Sequence, residues 1–199
     1  MFEFILFLAI AYIYGSINNG IIISKYIHGK DVRGFGSHGA GSTNILRTFG
    51  KKTALAVFIL DVSKPIVPML LAMLFVPLGF FIPSAKAWIC LAAVIGQCYP
   101  LFFHFKGGKG AAATLGTMLS LFPLVALGAA VIFFLIIKIK KIVSLATILA
   151  ISFSTIGVYF LSPQYLLPYS FIVVLILWSH RENIKRLIQG TERKLGDPA

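Results

Sequence analysis

Apolar positions along this chain come in long blocks, not at the short periods of a soluble helix or strand. The blocks are Met1 to about Ser24, Thr53 to about Val76, Ala87–Phe103, residues 111–137, Ile142–Leu161 and about Gln164–Ser179. Short basic connectors separate them. About 20 apolar residues is what a bilayer's hydrocarbon core demands. Such a segment must be helical, because lipid offers the backbone no hydrogen-bonding partner. The pattern therefore predicts an all-α, polytopic membrane helical bundle. The block at 111–137 is 27 residues long and is interrupted by Ser120-Leu121-Phe122-Pro123. As one span it would carry Lys138, Lys140 and Lys141 to the side opposite the other basic clusters. Read as a stub of roughly 10 residues and a second element of about 14, it makes two crossings, the stub being enclosed by protein. The count is then seven.

Polar interruptions mark where the helices have company. Gly15-Ser16 and Asn18-Asn19-Gly20 break the first span, and residues that small and polar belong against a neighbouring helix or a cavity. In the second span Asp61 and Lys64 lie i and i+3, on one helix face, where pairing lowers the cost of two charges at membrane depth. Pro65 and Pro68 follow and predict a kink. Residues 77–86, with Pro77, Gly79, Pro83 and Lys86, read as a turn.

Composition agrees. With 58% hydrophobic and 12% charged residues and a mean hydropathy of +0.92, the chain has too little polar sequence to cover a soluble core. Residues 1–199 have room for a single integral membrane domain and no separate soluble one. The first block lacks a basic leader and a small-residue cleavage site, so it reads as a retained span. A net charge of +12 in a soluble protein would point to nucleic acid; here topology and anionic lipid headgroups account for it, and no nucleic-acid partner is expected. With seven crossings, 16 of the 18 Lys/Arg residues share one side, Lys64 and Lys86 being the exceptions. That bias sets the N-terminus outside and the C-terminus in the cytoplasm. Cys90 and Cys98 have no ligand spacing and read as buried free thiols.

The chemistry-bearing residues lie in three connectors that this topology brings to one face. The loop Phe105-Lys106-Gly107-Gly108-Lys109-Gly110 leads straight into the small-residue stretch Ala111-Ala112-Ala113. Glycines that free the backbone, two ammonium groups and a helix N-terminus are the parts of a phosphate cradle. They equally describe a cytoplasmic turn whose lysines enforce topology. The connector Lys25–Lys52 centres on Gly34 to Asn44, dense in glycine, hydroxyl and amide groups, and Arg47 follows as a fork suited to an anion. In the tail, His180, Asn183, Ile184 and Leu187 share one face of a helix, while Glu182 is placed to pair with Lys185 and Arg186. His180 is the natural proton acceptor; a helix lying on lipid headgroups is the plainer reading. There is no metal-ligand spacing, no Gly-x-Ser-x-Gly elbow and no Walker loop, so no metal or cofactor is expected. With no evident nucleophile, direct transfer between two bound phosphorylated compounds is favoured over a covalent enzyme intermediate.

Three blocks together resemble the acyl-phosphate-dependent glycerol-3-phosphate acyltransferases of bacterial membranes. The first runs from Gly36-Ser37 through Gly41-Ser42-Thr43-Asn44 to Arg47, with Asp61 and Lys64 beyond. The second is Gly96-Gln97-Cys98-Tyr99-Pro100 leading into Phe105–Gly110. The third is His180-Arg181-Glu182-Asn183-Ile184 with the turn Gly190-Thr191-Glu192. The resemblance implies transfer of a fatty acyl group from acyl phosphate to the 1-hydroxyl of glycerol 3-phosphate, giving lysophosphatidic acid and phosphate in phospholipid synthesis. It implies a multi-pass protein of the bacterial cytoplasmic (inner) membrane, with membrane lipid around it and the soluble enzyme that makes acyl phosphate as a partner. By the same resemblance Ser37, Arg47, Lys109, His180 and Asn183 match positions that bind substrate or support catalysis. Thr43, Asn44 and the loop Lys106, Gly107, Gly108, Lys109 and Gly110 match phosphate-contacting positions.

Three residues depart from the family's usual pattern: Gly39 where asparagine is usual, Pro65 where glycine is usual, and Gln97 where histidine is usual. Glutamine replaces a hydrogen bond but cannot titrate. A transporter for a small phosphorylated anion is the alternative from another class, and a membrane subunit that merely keeps the motifs is a third. Against transport stand the gathering of all polar motifs at one face and the lack of a visible internal repeat.

Overall fold

The computed structural model describes residues 2–75 and 83–197. Among the described residues, ten α-helices and short 3₁₀ turns make up the architecture, with no β-strand. The first apolar block is two helices, α1 (Phe2–Gly15) and α2 (Asn19–His28), with the break where the polar residues fall. Asn18 caps α2, its side chain accepting from the Ile21 N–H at 3.1 Å. The connector contributes α3 (Ser42–Phe49), and α4 (Lys51–Phe75) runs continuously through Pro65 and Pro68.

The turn expected at 77–86 lies partly outside the described residues. Its end belongs to α5 (Pro83–Cys98), whose first turn includes Lys86, and a 3₁₀ turn at Leu101–Phe103 completes the third block. Proline at the first helical position costs nothing, since that N–H has no partner in any helix. The long fourth block is divided as its sequence suggested, into α6 (Ala111–Leu121) and α7 (Pro123–Lys140). Phe122 makes the break, outside helical dihedrals and buried, with its ring edge-on to Tyr169. After α8 (Val143–Leu161) come α9 (Leu166–Ser179) and α10 (Arg181–Ile188).

Among the described residues, five stretches are long and apolar enough to cross a membrane: Phe2–His28, Lys51–Phe75, Ser84–Phe103, Pro123–Lys140 and Val143–Leu161. Ala111–Leu121 and Pro163–Ser179 are apolar but shorter. Large apolar side chains such as Phe75, Leu124, Phe134 and Phe160 stand outward, as a bundle solvated by hydrocarbon requires.

Small residues let the helices touch. α1 packs most extensively on α5, where Gly15 meets the Ala93 carbonyl and Gly96 meets the Tyr12 carbonyl. α4 packs on α6 the same way, through Gly116 against the Val62 carbonyl. One core joins α5 to α9 around Val94, Phe122, Tyr169, Ile172 and Ile176; a second joins α1, α4 and α5. A third sits under the connector, where Val32, Ala40 and Ile45 pack on Ile21, Ala54 and Val57. The connector is thus a folded lobe with its own apolar floor, not a linker.

Inside the bundle Asp61 and Lys64 form the ion pair their spacing predicted, at 2.9 Å and each 1% exposed. Asn19 of α2 donates to Asp61 Oδ1 at 3.0 Å. Gln97 of α5 donates to Asp61 Oδ2 at 2.9 Å and accepts from Lys64 Nζ. The pair therefore ties three helices together at the base of the connector lobe.

Candidate active site

The Lys25–Lys52 connector, the glycine loop and the tail enclose one cavity of about 280 Å³. The connector wall is built by a single buried amide. Asn44, 2% exposed, shares the two hydrogens of Nδ2 among the carbonyls of Val32 (3.1 Å), Phe35 (3.0 Å) and Gly39 (2.9 Å). Its Oδ1 accepts the Ser37 N–H at 3.0 Å. Asp31 steadies the start of this loop, gripping Arg33 at 2.7 Å and Lys25 at 3.3 Å. The hydrogen bond from the Arg33 guanidinium holds the Asp31 carboxyl well below the usual carboxylate range. Ser37 and Thr43 are left lining the cavity.

Arg47 reaches in from α3. One Nη2 donates to the Lys194 carbonyl at 3.3 Å, while its Nε is buried with no partner. A buried unpaired guanidinium N–H is costly unless something fills it. Burial, then the nearby charge of Arg193, lower the Arg47 pKa, with Glu192 and Asp197 opposing.

Lys109 stands at the end of the glycine loop, its Nζ 2.5 Å from Asn183 Oδ1. Burial pushes its pKa down to about 8, Glu192 working against that and Arg186 and Arg47 adding to it. His180 caps α10 and is 4% exposed. Its Nδ1 lies 2.8 Å from the Ile176 carbonyl. A carbonyl only accepts, so Nδ1 carries the proton and Nε2 is left as an acceptor. Burial, then the Lys109 charge, push the His180 pKa down to about 4, so the ring is neutral at physiological pH.

The family of glycerol-3-phosphate acyltransferases has a model that matches residues 5–190 of this chain. A glycerol-3-phosphate acyltransferase of Macrococcus caseolyticus is 40% identical, over 96% of each chain. One from Pseudomonas paraeruginosa is 38% identical, over 92% of this chain and 95% of its own. A crystal structure of PlsY, an integral membrane glycerol 3-phosphate acyltransferase in its glycerol 3-phosphate form, superposes with a TM-score of 0.89 at 38% identity. The match covers 97% of this chain and 96% of that one. The lysophosphatidic acid form gives 0.85 at 37% identity. This chain belongs to the glycerol-3-phosphate acyltransferase family.

In this member of the acyltransferase family, Ser37, Thr43, Asn44, Arg47, Gly108, Lys109, Gly110, His180 and Asn183 all border the one cavity. Several do different work from what their composition suggested. Lys106 is exposed and outside the cavity lining. Gly107 and Gly108 give their N–H groups to the carbonyls of Cys98 (3.3 Å) and Gln97 (3.0 Å). Those carbonyls end α5 and lack helical partners, so the loop caps a helix before it can cradle anything. A Cβ on Gly107 would run into the Gln97 and Cys98 carbonyls, which explains the glycine. Gly110, at φ +79°, turns the chain into α6, whose first N–H groups remain uncapped by side chains. Asn44 is consumed too, its backbone N–H bonded to the Gly41 carbonyl at 3.0 Å.

Sequence reasoning gave no role to Glu192, and the acyltransferase fold makes it the hub of the tail. Its carboxylate accepts from Asn183 Nδ2 (2.7 Å), Ser144 Oγ (2.9 Å) and Arg186 Nε (2.7 Å). Burial raises its pKa, but those hydrogen bonds prevail and hold it below the usual value. Glu182 was expected to pair with both Lys185 and Arg186; it holds Lys185, at 3.3 Å, while Arg186 goes to Glu192. The signal was the short distance in sequence from Arg186 to Glu192, legible only once Gly190 (φ +70°) folds the turn back. Asp61, Gln97 and Arg193 also reach the cavity, from positions the motifs did not single out as contacts.

Proposed function

We propose that this protein moves a fatty acyl group from acyl phosphate to the 1-hydroxyl of glycerol 3-phosphate, releasing lysophosphatidic acid and inorganic phosphate for phospholipid synthesis. The observation that carries the reading is one cavity bearing an unpartnered buried Arg47 Nε, the Lys109 ammonium and a neutral His180 with Nε2 open. Family membership supports acyl transfer to glycerol 3-phosphate. The two related structures, a glycerol 3-phosphate form and a lysophosphatidic acid form, support that acceptor and product. An acyl phosphate donor follows from the sequence resemblance and from chemistry. It is a mixed anhydride already activated for attack.

Arg47 and Lys109 hold phosphate, Asn183 orients Lys109, and Ser37 and Thr43 contribute donors at the wall. Asn44, Gly107 and Gly108 build the site, and Gly110 opens α6 towards it. The glycerol 1-hydroxyl oxygen attacks the acyl carbonyl carbon, the bond from that carbon to the phosphate oxygen breaks, and phosphate leaves. His180 Nε2 accepts the hydroxyl proton; a leaving phosphate oxygen is the rival acceptor. Positioning two anions and an uncharged base in one place is worth roughly 7–11 kcal/mol of barrier. A dianion beside Lys109 also offsets the charge that depresses the His180 pKa, so the base strengthens when substrate is bound.

The seven-crossing arrangement suits this chemistry, with the short α6 and α9 as the fourth and seventh crossings, the N-terminus outside and the cavity at the cytoplasmic face of the inner membrane. Acyl chains then lie between helices while both phosphates meet the cytosol, where the soluble enzyme that makes acyl phosphate delivers its product. The direct test is purified protein in lipid vesicles, given acyl phosphate and labelled glycerol 3-phosphate. A labelled lysophosphatidic acid is expected; uptake of label without a lipid product would overturn the reading.

The site also predicts a pH profile. Lys109 must be charged to hold phosphate, so kcat/KM for glycerol 3-phosphate falls as pH rises through about 8. Glu192 raises the Lys109 pKa, so E192Q moves that alkaline limb to lower pH. A limb unmoved in E192Q would take Lys109 out of the role.

A further inference from the structure

Gln97 occupies a junction that phosphate holding by Lys109 does not itself explain. Its side chain, 3% exposed, lies at the cavity floor with both ends engaged: Nε2 donates to Asp61 Oδ2 at 2.9 Å, and Oε1 accepts from Lys64 Nζ. Its backbone carbonyl accepts the Gly108 N–H at 3.0 Å, one residue before Lys109. A Cβ on Gly108 would stand 3.0 Å from Gln97 Nε2, so the loop also packs on the amide itself. The other oxygen of Asp61, Oδ1, is met by Lys64 and Asn19. Asp61 borders the cavity, and an unshielded carboxylate there would repel the anion that Lys109 and Arg47 are placed to receive.

We propose that Gln97 is a positioning residue for the acyl transfer: its amide screens the Asp61 carboxylate from the bound phosphate and is the surface on which Gly108 packs, so that it sets the turn that aims Lys109. The inference rests on the acyltransferase reading above. The amide suits the task because one donor and one acceptor are needed in one plane, and it keeps both at every pH. The charged groups around it are Asp61 and Lys64 of α4 and Lys109 of the loop; the Cys98 thiol is its neighbour on α5. None of them replaces a donor aimed at Asp61 Oδ2.

Two substitutions separate positioning from mere packing. Q97M keeps the volume and removes both hydrogen bonds; kcat/KM for glycerol 3-phosphate should fall roughly ten- to a hundredfold, the scale of a small misplacement. Q97E keeps the shape but, when ionised, sets a second carboxylate against Asp61. Once protonated it again offers one donor and one acceptor. Its activity relative to wild type at the same pH should therefore be lowest near neutrality and climb as the medium is acidified, while the Q97M ratio stays flat. Q97H, with one donor and one acceptor on a neutral ring, should recover most of the loss. A Q97M enzyme matching wild type, or a Q97E ratio that does not change with pH, would overturn the proposal. If Q97M does not fold, the Q97E ratio decides. Should wild type transfer no acyl group, the function proposed above fails on its own. Inorganic phosphate binding followed by phosphorus NMR in the same proteins then decides for Gln97, weakened in Q97M if it positions Lys109 and unchanged if it does not.

Discussion

H180A is expected to lower kcat by about 10²–10⁴-fold, the usual contribution of a positioned general base, with the KM for glycerol 3-phosphate nearly unchanged. The ring touches the protein through Nδ1 and the Ile176 carbonyl, leaving Nε2 for the reacting hydroxyl. Truncation should not disturb the fold, because the backbone N–H of residue 180 also donates to the Ile176 carbonyl, at 3.0 Å. A thermal midpoint close to wild type is therefore expected beside the loss of turnover. Near-normal turnover in H180A would hand the proton to the leaving phosphate and reduce His180 to a wall of the cavity. Stopped or steady-state assays at saturating acyl phosphate distinguish these outcomes, since only kcat reports the bound complex.

The second large effect is on stability. D61A should destabilise the protein by about 3–5 kcal/mol, because it strands a charged lysine in the interior with no anion to pair with. Asp61 and Lys64 are each 1% exposed, and the carboxylate also anchors Asn19 and Gln97. Losing it loosens α2 and α5 together, so activity and the unfolding midpoint in detergent should fall in step. The double variant D61L/K64L should be more stable than D61A, since removing both charges removes the stranded one. If D61A unfolds like wild type, the pair contributes nothing to holding these helices.

Much of the candidate site was legible because its residues obey local rules. Asp61 and Lys64 meet because residues three apart share a helix face. His180 and Asn183 turn inward together for the same reason, both 4% exposed while Arg181 and Glu182 face out. The break at Phe122 follows from Pro123, which cannot continue a helix from its own N–H but starts one well. What misled was composition read without partners. Gly107 and Gly108 look like anion donors, yet the unsatisfied end of α5 claims their N–H groups. Asn44 looks like a ligand, yet three carbonyls of its own loop claim it. Arg186 has an acidic neighbour at helical spacing, yet Glu192 is nearer once the turn closes.

By itself, then, the sequence determined that the chain is a membrane helical bundle, where its apolar blocks lie and where the fourth one divides, and which connectors carry the polar chemistry. Those are consequences of hydropathy, proline and glycine geometry and helical spacing, all of which act within a few residues. Only the tertiary structure decided which polar atoms stay open for a guest and which are spent on the protein. A buried polar group takes whatever partner the fold brings near: for Gly108 and Glu192 it lies in another helix, and for Asn44 several residues back in its own loop. Arg47 Nε stays open because no such partner reaches it.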